Sequence, residues 1–170
     1  IPGCRSDRFE KFAINLKAPD LKGEHILVCP SSAGINEYLD RPNWTQETIE
    51  QSKRYTDRPI KVRHKPRGRG TSGPSEASVS LEDDLENAWA TVVFNSSPGV
   101  ASFIRGIPVF QMDPEPEYSM YGELANFDLS QIEQPVLKDR NDWLERISMC
   151  HWKFDELIDG SAWKFMRNYV

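Results

Sequence analysis

Thr91 to Gln111, TVVFNSSPGVASFIRGIPVFQ, passes from a strand pattern through a polar turn to a short helix and back to a strand, and the reading of this stretch decides the fold. Thr91, Val92, Val93 and Phe94 run without alternation, as in a parallel strand covered on both faces by helices. Asn95-Ser96-Ser97-Pro98-Gly99 then stops the strand and opens a helix. Asn or Ser suits the cap, Pro98 the first turn, and Gly99 permits close approach of a backbone or a ligand. Such a helix start offers N–H groups and hydroxyls to an anion. Gly106 closes the helix, and Ile107-Pro108-Val109-Phe110 begins the next strand, with Pro108 tolerated near its first position.

Outward from this unit the elements alternate in the α/β manner. His25 to Pro30 reads as the first strand and runs straight into Ser31-Ser32-Ala33-Gly34. Asn43 caps a helix reaching to about Thr56, with Trp44, Thr48 and Ile49 near one face. Pro59 to His64 is a second strand whose apolar and basic residues alternate, which predicts one partly exposed face. A helix over 80–88 opens on Ser80 with Asp83 three residues on, an acidic capping box. Its acidic first turn complements the helix dipole rather than marking a metal site. The segment 139–170 is helical in pattern: Trp143, Ile147, His151 and Phe154 follow one another, Gly160 breaks the run, and Trp163, Phe165, Met166 and Tyr169 complete a final helix. Core burial is the expected fate of these aromatics. The chain divides into an N-terminal extension or linker (1–24), a ligand-binding α/β domain (25–138) and a C-terminal helical tail packing on it (139–170).

Composition narrows the function classes. The 170 residues carry a net charge of -5, which argues against a generally basic nucleic-acid binder. No apolar run reaches the roughly 18 to 20 residues of a membrane-spanning helix. Cys4, Cys29 and Cys150 are odd in number and form no C-x-x-C pair, so neither a disulfide framework nor a zinc site is indicated, and a reducing cytoplasm fits best. Cys29 reads as a small core residue. Cys150 and His151 are adjacent on a helix and point different ways, which disfavours a nucleophile–base pair. Gly68 to Gly73 superficially suggests a G-x-G-x-x-G, but it does not come directly off either early strand and no helix pattern begins there, which disfavours a dinucleotide-dependent oxidoreductase. The chain begins Ile1-Pro2-Gly3 and reads as a segment of something longer.

Against this acidic background Arg63-His64-Lys65-Pro66-Arg67-Gly68-Arg69-Gly70 gathers four fixed positive charges and a histidine at the carboxyl end of a predicted strand. Electrostatics alone make it an anion site. A Gly/Ser/Pro-rich loop over 66–80 follows it. Ser31 and Ser32, directly after the first strand, are a third group of hydroxyls suited to phosphate. After Gln111 comes a turn-rich acidic segment at another strand's carboxyl end, where open α/β sheets put their ligands.

The apolar strand, Asn95-Ser96-Ser97, the Gly99-Val100-Ala101 helix and Arg105-Gly106-Ile107-Pro108-Val109-Phe110 together resemble the C-terminal, nucleotide-sugar-binding half of GT-B-fold glycosyltransferases. They are closest to capsular-polysaccharide and phage-encoded transferases. The resemblance spans about the middle two-thirds of the chain. It implies a Rossmann-like parallel sheet flanked by helices, one half of a GT-B architecture, with a helical tail that crosses back onto an N-terminal acceptor domain not contained in this sequence. It also implies that Asn95, Ser96, Ser97 and Gly99 meet the donor's phosphates and that Ser31 and Ser32 lie at the matching first turn. Related enzymes end their basic segment in His-Pro; here the order is His64-Lys65-Pro66. On this view Arg63 and Arg67 clamp the diphosphate, Lys65 acts as a point charge, and His64 bonds a phosphate or assists the leaving group as the catalytic candidate. Glu115 and Glu117 would hold the ribose or sugar. The reaction implied is transfer of a sugar from a nucleotide-sugar co-substrate to a hydroxyl of a polysaccharide or modified DNA base, with no metal and no further cofactor. No D-x-D motif is present to hold a metal-bound diphosphate. Two other readings stay open: a non-catalytic nucleotide or sugar-phosphate binding module, and a nucleic-acid-contacting accessory domain that uses the Arg/Gly loop.

Overall fold

The computed structural model describes residues 7–64, 80–112 and 119–167. Two compact units are present, Leu16–Lys138 and a second formed by Ile1–Asn15 with Asp139–Val170.

The larger unit is α/β. Four parallel strands, β1 (His25–Cys29), β2 (Ile60–Val62), β3 (Ala88–Val93) and β4 (Val109–Gln111), lie in the order β2-β1-β3-β4. This is a Rossmann-like sheet flanked by helices. Every residue of β1 is buried, as its unbroken apolar run requires of a central strand with both faces covered. On one face Ile26, Val28, Ala90, Val92, Phe94 and Phe110 pack with Trp44 of α3 (Trp44–Ser52) and with Leu129 and Ile132. Trp44 meets Phe94 edge-on at 5.8 Å and donates its indole N–H to Met112 O at 2.8 Å, so its polar atom is satisfied inside the core. On the other face α5 (Pro98–Arg105) lies against β3 and β4, and Thr91 Oγ1 and Ser102 Oγ share a hydrogen bond of 2.7 Å between two fully buried residues. Asn126 pairs with the outer edge of β4, its N–H donating to Val109 O at 2.8 Å and its carbonyl accepting from Gln111 N at 2.9 Å.

Several boundaries differ from the sequence reading, each for a local reason. β3 begins at Ala88, inside the expected 80–88 helix, because the chain leaves helical geometry at Glu86, which is extended at φ −65°, ψ 128°, and Asn87 then takes a left-handed φ of 59°; α4 is Leu81–Leu85. Its capping box is present, with Ser80 Oγ accepting from Asp83 N at 3.1 Å. α3 stops at Ser52, and Thr56 lies beyond it with its hydroxyl bonded to Glu133. Asn43 and Ser97 occupy N-cap positions without making a side-chain cap bond, and Ser97 is already helical at φ −51°, ψ −27°. β2 is shorter than Pro59 to His64, and as an edge strand it leaves Val62 as well as Lys61 exposed, so the expected alternation is absent. At Gly106 the reading holds: φ is +82°, and a β-carbon there would stand 2.2 Å from Ala18 O.

The smaller unit is helical: α1 (Asp7–Glu10), α6 (Asn141–Ser148), α7 (Phe154–Ile158) and α8 (Ser161–Met166), with Gly160 at φ +79° between the last two. α2 (Ala33–Tyr38) belongs to the larger unit. Arg8 organises the smaller unit. Its guanidinium forks onto Glu156 at 2.7 and 2.9 Å, donates to Ser148 O at 3.0 Å and to His151 O, and stacks 3.7 Å from the Trp152 ring centre. Trp143 and Leu144 are buried, but Phe154 and Trp163 are 78% and 64% exposed, so core burial does not describe the whole aromatic series.

Glu156 gives this unit a defined acid response. Hydrogen bonds from Arg8 first, then from the Lys153 N–H, hold its carboxyl down to about 2, against an ordinary 4.5. The folded state therefore prefers the carboxylate. The stabilisation is fully present above the ordinary value and is lost as pH falls toward the folded one. Protection of amides over 141–166, relative to their intrinsic exchange rates, should fall between about pH 5 and pH 2 in the wild type. In Glu156→Gln that acid step should be missing.

Candidate functional site

The chain leaves β1 toward β2 on one side and leaves β3 toward β4 on the other, so the strand order reverses between β1 and β3. Open parallel sheets bind ligands at that switch point, outside the carboxyl ends of the strands, because the connecting loops diverge there and leave a crevice. A cleft of about 460 Å³ occupies this position. That volume is in the range of small-molecule sites.

Three loops converge on it. After β1 come Pro30, Ser31 and Ser32, with Ile35 from α2; after β2 come Arg63 and His64; after β3 come Asn95, Ser96, Ser97 and Pro98. The structure thus brings together seven of the sequence candidates, Ser31, Ser32, Arg63, His64, Asn95, Ser96 and Ser97, which span 67 positions of chain. Lys65, Arg67, Glu115 and Glu117 lie outside the described residues.

Gly99 does not line the cleft. The space its missing side chain leaves is filled by Tyr121, whose phenol oxygen would stand 2.5 Å from a β-carbon there. The close approach expected of this glycine is therefore made by a side chain of the same protein. The amides of the helix start are also partly committed: Ser96 N–H donates to the Tyr121 oxygen at 3.2 Å, and Gly99 N–H donates to Ser96 O at 3.1 Å. Polar capacity lies instead in side chains. Asn95 Oδ1 and Ser96 Oγ are buried atoms with no hydrogen-bond partner. A third such atom, Asn36 Oδ1, sits on α2 one residue past Ile35. Leaving a buried polar atom unpaired costs about 1–3 kcal/mol, which a ligand supplying the partner recovers. Ser32 is partly used, its Oγ accepting from Ile35 N at 3.4 Å as the cap of α2.

Arg63 pairs with Asp84 of α4, and the two side chains are 11% and 22% exposed. Asp84 does not line the cleft but holds a residue that does, a role the sequence reading, which assigned it to helix-start chemistry alone, did not give it. Only the fold shows that its side chain turns to the basic segment. The arrangement fixes the guanidinium at the cleft wall, and an anion would share it with a carboxylate already in place. Cys29 closes the floor. Burial pushes its thiol up to about 12, which disfavours the thiolate form. In the smaller unit, Cys150 and His151 lie beyond the end of α6 rather than on a helix, and Cys150 Sγ and His151 Nδ1 turn to the carbonyls four residues back, Arg146 O and Ile147 O.

A larger depression of about 630 Å³ lies at the opposite, amino end of the strands, around Lys53 to Pro59. Its Arg58 is engaged by Glu133 at 3.1 Å, by Gly23 O at 2.8 Å and by the Trp89 ring at 3.7 Å, so its charge already serves the fold. Among the described residues no group of three His, Cys, Asp or Glu side chains could hold a metal ion, and no helix is long and apolar enough to cross a membrane.

Comparison of the chain with family models, with curated proteins and with solved structures gave no match in any of the three. The site is a switch-point cleft of a Rossmann-like sheet.

Proposed function

We propose that this chain is the donor-binding domain of a GT-B-type glycosyltransferase of the capsular-polysaccharide or phage-encoded kind, and that the cleft takes a nucleotide-sugar by its phosphates. One observation carries the reading. Three separate loops deliver hydroxyls, a guanidinium and an imidazole to the switch point, and two of the polar atoms on the lining residues have no internal partner. A phosphate ester bearing a sugar offers both what Arg63 and His64 attract and what Ser96 Oγ and Asn95 Oδ1 lack. The Asn95 amide can present either its carbonyl or its NH2 to such a ligand.

In the reaction, an acceptor hydroxyl attacks the anomeric carbon, the bond from that carbon to the donor's phosphate oxygen breaks, and the nucleotide leaves with the bonding pair. The developing negative charge is met by Arg63, His64, Lys65 and Arg67 with the serine hydroxyls, preorganised donors in place of a metal. The acceptor's proton passes to a base on the acceptor-binding domain. The acceptor is a polysaccharide or a modified DNA base, and the compartment is the cytoplasm. A non-catalytic nucleotide-binding module would use the same lining residues and is separated from this reading by turnover in the longer enzyme.

Ser96→Ala with Ser97→Ala tests the reading. Calorimetric titration with UDP-, GDP-, CMP- and dTDP-sugars should find one class that binds the wild type, with affinity lost about 10- to 100-fold in the double variant at unchanged melting temperature. Equal affinity in the two proteins removes the serine turn from the site.

A further inference from the structure

We infer that Tyr121 is the positioning residue of the ligand turn: its phenol holds both backbone groups of Ser96, so that Asn95 Oδ1 and Ser96 Oγ remain for the ligand. This rests on the cleft being the nucleotide-sugar site.

The phenol donates its hydrogen to Ser96 O and accepts from Ser96 N–H at 3.2 Å. Both backbone groups of one residue are thus tied to a single oxygen, and the turn cannot rotate without losing both bonds. Tyr121 is itself immobilised. It is 1% exposed, and its ring meets Phe103 of α5 edge-on at 5.5 Å. Its N–H donates to Ser119 Oγ at 3.0 Å, and that hydroxyl donates to Gln111 Oε1 at the end of β4. A bonded chain therefore runs from β4 through Ser119 and Tyr121 to the turn that follows β3. Burial drives the phenol's ionisation well above its ordinary range, so it remains a donor throughout the working pH range.

Gly99 follows from the same geometry. A β-carbon there would meet the phenol oxygen at 2.5 Å and the ring carbon that bears it at 2.6 Å. Glycine at this position makes room for the brace. A turn held in this way keeps Asn95, Ser96 and Ser97 fixed at the cleft, and a ligand bound there meets them without an ordering cost.

Tyr121→Phe keeps the ring and removes only the hydroxyl. Amide exchange at Ser96 and the dissociation constant for inorganic pyrophosphate are read on the wild type and the variant at a temperature where both are fully folded. The expected result is about tenfold faster exchange at Ser96 and about tenfold weaker pyrophosphate binding, since each reports hydrogen bonds lost. Gly99→Ala, which displaces the phenol without altering it, should reproduce both changes. A purely structural tyrosine would lower the melting temperature and leave the pyrophosphate affinity of the folded protein unaltered; that result overturns the inference, as does unchanged exchange at Ser96. A wild type that binds no pyrophosphate overturns the cleft reading instead, and exchange at Ser96 then judges Tyr121's hold on the turn by itself.

Discussion

Arg63→Ala is expected to destabilise the larger unit by about 2 to 3 kcal/mol and to remove anion binding from the cleft. The first effect follows from what the substitution leaves behind. Asp84 is 22% exposed on its side chain and would keep a charge in a partly desolvated wall with its guanidinium gone. Breaking a fully buried pair in this way costs about 3–5 kcal/mol, and the residual exposure here scales the figure down. The second effect follows from sign: the cleft lining loses the Arg63 guanidinium, while the carboxylate paired with it stays behind. Asp84→Asn separates the two. It keeps a hydrogen-bond acceptor for Arg63 but frees the positive charge from neutralisation, so it should lower stability less and bind pyrophosphate more tightly than the wild type. Urea melts and pyrophosphate titrations on both variants check this. Equal weakening of binding in the two would show that Asp84 helps rather than competes.

Arg8→Ala should cost the helical unit about 3–5 kcal/mol, because Glu156 loses the fork that holds its carboxylate. A further contribution of about 1 kcal/mol comes from the stacking on Trp152. Ser148 O and His151 O lose their donor in the same step. Arg8→Lys keeps the charge but cannot form the fork, reach both carbonyls and stack together, so most of the loss should remain. Hydrogen exchange resolves the outcome: amides of α6 to α8 should lose protection in both variants. Protection equal to wild type in Arg8→Lys would mean that charge alone, and not guanidinium geometry, holds the unit.

The β3-α5-β4 stretch was legible because each of its signals is local: an unbroken apolar strand, a proline in the first turn, and a glycine at the end whose left-handed φ only it tolerates well. The gathering of Ser31, Arg63 and Ser96 at one cleft was legible too, since parallel strands put successive loops at the same end of the sheet. What escaped the sequence is what depends on pairing across distance. Arg63 and Asp84 are 21 positions apart, and an acidic helix start explains Asp84 equally well without a partner. Tyr121 and Ser96 are 25 apart. Here a signal existed, since a glycine in the first turn of a helix asks what fills its space, but only the fold says that the answer is a phenol. Asn87 shows a further limit. It follows an already extended Glu86 at the end of α4, and nothing in Leu85-Glu86-Asn87-Ala88 marks the switch from helix to strand more strongly than continuation of the helix. The tail's aromatics have helical spacing whether or not they are covered, which is why Phe154 and Trp163 could not be told from core.

The most direct test of the account is to titrate the isotope-labelled chain with UDP-, GDP-, CMP- and dTDP-sugars and to record which backbone amides shift. Binding at the switch point predicts saturable shifts from one nucleotide class centred on Ser31, Ser32, Arg63, His64 and Asn95 to Ser97. Shifts centred on Lys53 to Arg58 at the opposite end of the sheet, or none from a folded sample, would contradict it.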